Sequence, residues 1–233
     1  MLKAELHIHT KEDPEDGKTI NYTAKELIDE AALQGFEVLA FTCHNKMIHS
    51  QELEDYARSK NIFLIPGVER TVQGKHVLIY NLTEEESREI TSLEKLEELK
   101  QRKKELDLPF LVVAPHPFHW GFTCLKNQVL KNLNLFDAWE YSFFYLSKLN
   151  KNKKTLKLSQ KYQKPLVGNS DVHQLESLGK TYTLIDAEKN LNSVFRAIKE
   201  NRLEVKTEPL SLAYFSKVFM WALTSGFNKS LKQ

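Results

Sequence analysis

One pattern constrains this chain more than any other. Short apolar runs, among them FEVLAFT, NIFLIPGV and FLVVAP, alternate from end to end with stretches of helical spacing. These runs are too apolar for strands with one face in water. They read as strands buried on both faces, which suits a parallel sheet covered by helices. Strands are expected at 3–9, 36–42, 62–68, 76–82, 110–114, 136–141, 165–169 and 180–185. Seven or eight βα units in one chain favour a closed barrel over an open sheet. Between the strands, Thr23 and Glu26 have the spacing of a capping box for a helix that stops at Gly35. Thr91 and Glu94 suggest a second box, heading a helix with Leu93, Leu96, Leu99 and Leu106 on one stripe. A short late helix is expected at 192–201.

With 233 residues and no internal repeat or linker, one barrel domain over 1–208 is expected. Residues 209–233 form an aromatic-rich tail, read as helical and packed over the barrel's other end or against a partner subunit in a homo-oligomer. That tail holds the best membrane candidate, 210–227, but Lys217 interrupts it, so no membrane association is expected. There is no basic region followed by an apolar core at the start. Two cysteines, Cys43 and Cys124, cannot make a disulfide framework. Both points favour a cytoplasmic location. A net charge of +2 does not by itself imply nucleic acid as a partner.

The unusual polar residues gather on this map. His7 and His9 end the first strand, and His44, Glu69, His116, Asp171 and His173 each follow an apolar strand. His76 begins one. The carboxyl ends of strands are where barrels and open α/β sheets carry active sites. Side chains two apart on a strand share a face, so His7 and His9 can bind one ion together, and Asp171 and His173 can reach one pocket. Imidazole and carboxylate together suit Zn²⁺, Mn²⁺ or Fe²⁺. Taken singly, each piece has a bland reading: Glu69 as a turn residue or helix cap, His76 as a surface histidine. The argument lies in six of the eight histidines falling at one barrel mouth.

In the order LHIHT, EDG, FTCHN, IPGVE, HVLIY, APHP, WEYS, GNSDVH, the chain resembles the PHP (polymerase and histidinol phosphatase) family, of the metal-dependent phosphoesterase type. The resemblance runs from Leu6 to about Arg202. It implies a distorted (β/α)7 barrel with the metal site at the carboxyl ends of the strands. It also implies two to three divalent ions, Zn, Mn or Fe. By motif, the first ion would take His7, His9, Glu69 and Asp171, and the second Glu69, His76 and His116. The third would take Asp16, His44 and His173, with Asp16 drawn from a loop that also holds Asp13 and Glu15. Where the family usually has Thr-Asp-His, this chain has Thr42-Cys43-His44, which removes a carboxylate that could orient His44. Cys43 reads as a buried, inert thiol rather than a soft ligand.

The expected chemistry is hydrolysis of a small phosphorylated substrate, nucleotides included, by a metal-activated hydroxide. Glu69 would bridge two ions, and His173 or His44 would protonate the leaving group through water. Arg70, Lys18 and Arg196 are candidate phosphate-binding cations, each with the alternative of a solvated charge. His119 either contacts substrate or lies on its loop. The lysine-rich stretch 148–164 could attract an oligonucleotide, but Leu149 and Leu156, seven apart, suggest a docked helix with a solvated lysine face. Three other readings stay open: a 5′-end exonuclease on short RNA or DNA, an amidohydrolase-like hydrolase, and a non-catalytic metal-binding partner module. No lysine ends a buried middle strand to serve as the carbamate bridge that amidohydrolases often use.

Overall fold

The structure, a computed structural model, describes residues 1–230, with side chains through residue 223. Residues 231–233 of the tail lie outside the described residues. The strands are β1 (Leu2–Ile8), β2 (Val38–Phe41), β3 (Phe63–Val72), β4 (Lys75–Tyr80), β5 (Leu111–Ala114), β6 (Ala138–Ser142), β7 (Leu166–Asn169), β8 (Thr181–Ile185) and β9 (Leu203–Thr207). The helices are α1 (Ala24–Leu33), α2 (Gln51–Ser59), α3 (Glu84–Glu89), α4 (Leu93–Glu105), α5 (Asn127–Lys131), α6 (Asn152–Tyr162), α7 (Leu191–Lys199) and α8 (Leu212–Ser230).

All strands belong to one sheet in the order β7-β6-β5-β4-β3-β2-β1-β8-β9. It is an α/β sheet rolled into a nearly closed barrel. A seven-fold repeat of parallel βα units does not describe it. Pairs β1–β2, β2–β3, β5–β6 and β6–β7 are parallel, whereas β3–β4, β4–β5, β1–β8 and β8–β9 are antiparallel. The reason at β3–β4 is local. Gln73 and Gly74 both have positive φ, 49° and 73°, the backbone of a two-residue hairpin turn. A connection that short cannot make a parallel crossover.

Closure happens at two levels. β8 pairs with the first half of β1, Leu2 opposite Ile185 and Ala4 opposite Thr183. Further up, the chain leaving β7 pairs with the end of β1. Val172 N donates to His7 O, and His9 N donates to Val172 O, both at 3.0 Å. Between these levels Thr183 Oγ1 accepts from Gly168 N and donates to Gly168 O, each at 2.9 Å. Gly168 is required there: a Cβ would lie 2.6 Å from Val205 Cγ1.

A cluster of Ala4, Leu6, Val38, Ala40, Ile65, Leu78, Val113, Ala138 and Val167 draws on seven strands and includes Val194, Phe195 and Ile198 of α7. That helix therefore plugs the amino-terminal end of the barrel. Two other clusters lie under the surrounding helices. β1 shifts register against β2 between Glu5 and Ile8, three residues facing two. After the shift Ile8 joins a helix-side cluster, and His7 and His9 on either side of it face the mouth.

The helices follow their signals with exceptions. Thr23 and Glu26 make both bonds of the capping box. α4 instead starts one residue later than expected, capped by Ser92, whose hydroxyl accepts from Lys95 N. Leu93, Leu96 and Leu99 are buried, but Leu106 is exposed. Lys103 takes the next buried place because it pairs with Glu86 at 2.8 Å. α6 does not dock through Leu149 and Leu156, which are exposed. It docks through Asn152, Thr155 and Ser159, and Asn152 clamps both backbone groups of Ser142 at the end of β6. Finally, α8 lies at the carboxyl-terminal mouth, the opposite end from the one expected: Phe215 stacks on Phe144, and Trp221 lies against His173. No helix among the described residues is long and apolar enough to cross a membrane.

Candidate metal centre

Eight imidazole and carboxylate side chains meet where β1, β3 and β4 and the segments after β2, β5 and β7 converge. His7 Nε2 lies 3.4 Å from Glu69 Oε2 and 3.3 Å from Asp171 Oδ1. His9 Nε2 lies 3.4 Å from each of the same two oxygens. Four donors about 2.0–2.1 Å from one central ion, placed tetrahedrally, lie about 3.3–3.4 Å from each other. His7 Nε2, His9 Nε2 and Asp171 Oδ1 are buried without any hydrogen-bond partner. Buried polar atoms are seldom left so, and a divalent cation would satisfy all three. The set fits a metal ion.

Glu69 also faces a second group. Its Oε1 lies 2.9 Å from His76 Nδ1 and 3.8 Å from His116 Nε2, while its Oε2 lies 3.1 Å from His44 Nε2. Glu69 is on β3 and His76 on the antiparallel β4, so the hairpin that breaks the βα repeat delivers His76 to the mouth. The remaining expected set is assembled differently. Donor atoms of His9, His44 and His173 lie within 4.8 Å of one another. Asp16 stands at their edge, with Oδ2 3.4 Å from His173 Nε2 and 3.6 Å from His44 Nδ1. Gly17, which follows Asp16, is needed for this loop, since a Cβ there would meet Lys11 O at 2.4 Å.

Two ligand candidates hold strained backbone. His116 has φ +29° and Asp171 φ +44°. Non-glycine residues hold such conformations at a cost of about 1–3 kcal/mol, and they concentrate at functional sites. Residues outside the expected set hold the rings. His7 Nδ1 meets Glu140 Oε1 at 2.9 Å, and Glu140 also accepts from His116 N and Asn169 Nδ2. Asp13 Oδ2 lies 2.8 Å from His9 Nδ1 and 3.0 Å from His44 Nδ1. Asp13 thus supplies the carboxylate that Cys43 does not. Cys43 itself is fully buried beside Thr10 Oγ1 at 3.4 Å, and burial pushes its thiol up to about 12. Cys124 Sγ lies 3.4 Å from His116 Nδ1. Sequence reasoning gave Glu140 and Asp13 no role, although WEYS stood among the motifs and Asp13 in the loop beside Asp16.

The buried carboxylates set the electrostatics of most of these rings, although burial lowers His76 despite Glu69. Burial pulls the His7 imidazole down, but Asp171, Glu140 and Glu69 outweigh it and hold its pKa well above the usual value. Burial and then Asp171 act in the same opposed way on His173, raised to about 9. His116 is raised to about 10 against its burial, chiefly by Cys124 and Asp171. Burial pushes Glu69 and Asp171 up, yet the imidazoles hold both well below the ordinary carboxylate range. Protons on these rings occupy the places a cation would take.

The candidate substrate residues divide. His119 is buried, with Nε2 3.4 Å from Asn152 Oδ1, and lines a pocket with His116, Asp171 and His173. Burial and the neighbouring His116 lower it to about 4, so it is neutral at pH 7. Lys18 is exposed two residues after Asp16. Arg70 alternates with Glu69 along β3, and its guanidinium donates to Ile90 O outside the cluster, so it is not brought to the mouth. Arg196 lines a groove with Pro109, Asn134 and Asp137, which precede β5 and β6, so it lies at the amino-terminal end.

Fold and site together define an α/β barrel with a histidine–carboxylate centre at its carboxyl-terminal mouth. Residues 150–203 match the family model described as PHP-associated. No curated protein sequence matches the chain. Among solved structures, PsfC from Pseudomonas syringae is 16% identical with a TM-score of 0.59, covering 97% of this chain and 99% of PsfC. A candidate metal-dependent phosphoesterase from Bifidobacterium adolescentis is 12% identical with a TM-score of 0.50, over 73% of this chain and 87% of its own. An amidohydrolase from Chromobacterium violaceum, solved with sulfate and no metal, is 15% identical with a TM-score of 0.54 over the same shares. At such identities these structures speak to the fold. The family-model match supports the resemblance to the PHP family over residues 150–203.

Proposed function

We propose that this protein is a metal-dependent hydrolase of phosphoric esters, acting on small phosphorylated substrates. One observation carries the reading: the two oxygens of Glu69 face different imidazoles, Oε2 towards His7 and His9 and Oε1 towards His76 and His116. A carboxylate so placed can hold two cations side by side, as phosphoryl-transfer sites do. His7, His9, Glu69 and Asp171 would hold the first ion, Glu69, His76 and His116 the second, and His44 and His173 with Asp16 or His9 a third. Zn, Mn or Fe suits that donor set. When bound, such ions neutralise phosphoryl charge and make water acidic enough to attack near neutral pH.

The chain's own residues do the rest. Asp13 and Glu140 fix which ring nitrogen each of His9, His44 and His7 presents. α8 and the segment after β6 wall one side of the mouth. His173 and His44 stand where a proton could reach the leaving oxygen through water. The lysines at the start of α6 support a polyanionic substrate less well than a small one, since Lys151, just ahead of the helix, and Lys154 lie over the rings of Trp120 and Phe118. An amidohydrolase reading has a neighbour of that name, but Glu69 stands where a carbamylated lysine would bridge.

The test is a hydrolysis screen of the Mn²⁺-loaded protein on p-nitrophenyl phosphate, its bis ester, mononucleotides, sugar phosphates and short RNA, beside elemental analysis. Two to three ions per chain and turnover of a monoester are expected, with turnover abolished in Glu69→Ala. Retained activity in that variant would remove the bridging role, and amide or lactone hydrolysis alone would overturn the reading.

A further inference from the structure

The pocket beside the metal centre is half-open and holds about 160 Å³. The imidazoles of His116, His119 and His173 line it, and beside them the rings of Phe143, Phe144 and Trp221 form an aromatic wall. The aromatic wall is anchored. Phe144 stacks on Phe215 of α8 with centroids 4.3 Å apart and planes 8° from parallel. Trp221, on the same helix, lies 4.8 Å from His173. Tyr214 ties α8 down by a 2.8 Å hydrogen bond between its hydroxyl and Ser177 Oγ. Leu210 N donates to Tyr145 O at 2.9 Å just ahead of the helix.

Charge is equally one-sided. No Lys or Arg lines this pocket among the described residues. Lys217, the cation on the adjoining stretch of α8, is paired with Glu176. A phosphoryl group at the metal centre would find its countercharge in the ions. A second anion carried further into the pocket would meet rings and the neutral polar groups of Ser142, Gln174 and Ser177, with no Lys or Arg to offset its lost hydration. The volume also has room for one ring. An apolar cavity of about 150 Å³ accommodates a benzene-sized ring.

We infer, building on the phosphoesterase reading, that the leaving group of the substrate presents a single uncharged aromatic ring, received against the rings of Trp221 of α8, Phe143 and Phe144. The preferred substrates are aryl or arylalkyl phosphate monoesters. Nucleoside bisphosphates and sugar phosphates are disfavoured. Trp221 is a specificity residue contributed by the carboxyl-terminal helix.

Binding of non-hydrolysable phosphonates to the full-length, Mn²⁺-loaded protein, followed by calorimetry, tests this without turnover. Phenylphosphonate should bind about tenfold tighter than methylphosphonate, roughly the worth of one well-packed ring contact. Benzene-1,4-diphosphonate, which carries a second anion at the far end of the ring, should lose that advantage. Trp221→Ala should bring the phenyl-to-methyl ratio towards one, and Trp221→Phe should restore most of it. A ratio near one in the wild type, a ratio untouched by Trp221→Ala, or binding of neither phosphonate would overturn the inference. Turnover of phenyl phosphate is scored separately. Ring preference without hydrolysis of any phosphate ester would sink the phosphoesterase reading and leave the aromatic pocket standing. Hydrolysis without ring preference would do the reverse.

Discussion

His7 and Glu140 are joined, wholly buried, by a 2.9 Å contact between Nδ1 and Oε1, which leaves only Nε2 of that ring to face Glu69 and Asp171. A carboxylate behind a ligating imidazole fixes its tautomer and raises its basicity. Glu140→Gln keeps the shape and removes the charge. Its affinity for Zn²⁺ or Mn²⁺ should fall about 10–100-fold with the circular dichroism spectrum unchanged. Equal affinity in a competition titration against a chelator would count against an orienting role.

Asp13 carries the same burden for two rings, so Asp13→Asn should be the more damaging variant. It should lower the number of ions retained per chain after dialysis, whereas Cys43→Ala should retain the wild-type number. Elemental analysis of the two variants, side by side, distinguishes Asp13 from Cys43 as the support of His44.

The raised histidines make the metal-free protein sensitive to alkali. His173 at about 9 and His116 at about 10 stand above the ordinary value near 6.5. The stability they contribute is complete below about pH 6.5 and is lost as pH climbs through 9 to 10. Glu69 and Asp171, held low, contribute stability that is lost on the acid side. In chelator, the melting temperature should therefore decline from about pH 7 to pH 10. In saturating Zn²⁺ that decline should vanish, since the cation takes the lone pairs that the protons held. Parallel melting curves with and without metal across this range would refute the assignment of these rings to the centre.

Gly168 should tolerate no side chain. Gly168→Ala drives a Cβ into Val205 and Thr181, where β7 meets the β8–β9 hairpin. Overpacking of this kind costs about 1–3 kcal/mol, readable as a lower urea midpoint at unchanged slope.

Much of this was legible in the chain. Eight strands appear close to their expected positions because fully buried strands leave unmistakable apolar runs. The ninth, β9, was missed because LEVKT alternates without a strong apolar face and is only half-buried. The strand directions were also misjudged. Apolar runs report burial, not polarity, and the Gln73–Gly74 turn that reverses β4 is two residues long. At the site, the residues ending strands were proposed from position alone, and the structure brings them together. Arg70 was misplaced by the same rule that placed Glu69: on a strand, the neighbour of an inward residue points outward. Arg196 failed for a different reason, since a helix after the last barrel strand gives no sign of which end it covers. Glu140 meets His7, and Asp13 meets His44, across the fold, which no spacing along the chain displays.

The two hydrogen bonds between His7, His9 and Val172 bear on how the centre comes into being. They stitch the first strand to a segment more than 160 residues later, and the ligand candidates sit at the stitch itself, His7 and His9 on one side, Asp171 and His173 on the other. Such long-range pairing is among the last and slowest acts of folding. Before it, the chain owns two half-sets of ligands that hold no common ion. A nascent or truncated chain would thus be unable to assemble the first-ion site, and a captured ion would latch the ring at its seam, making occupancy a readout of completed folding.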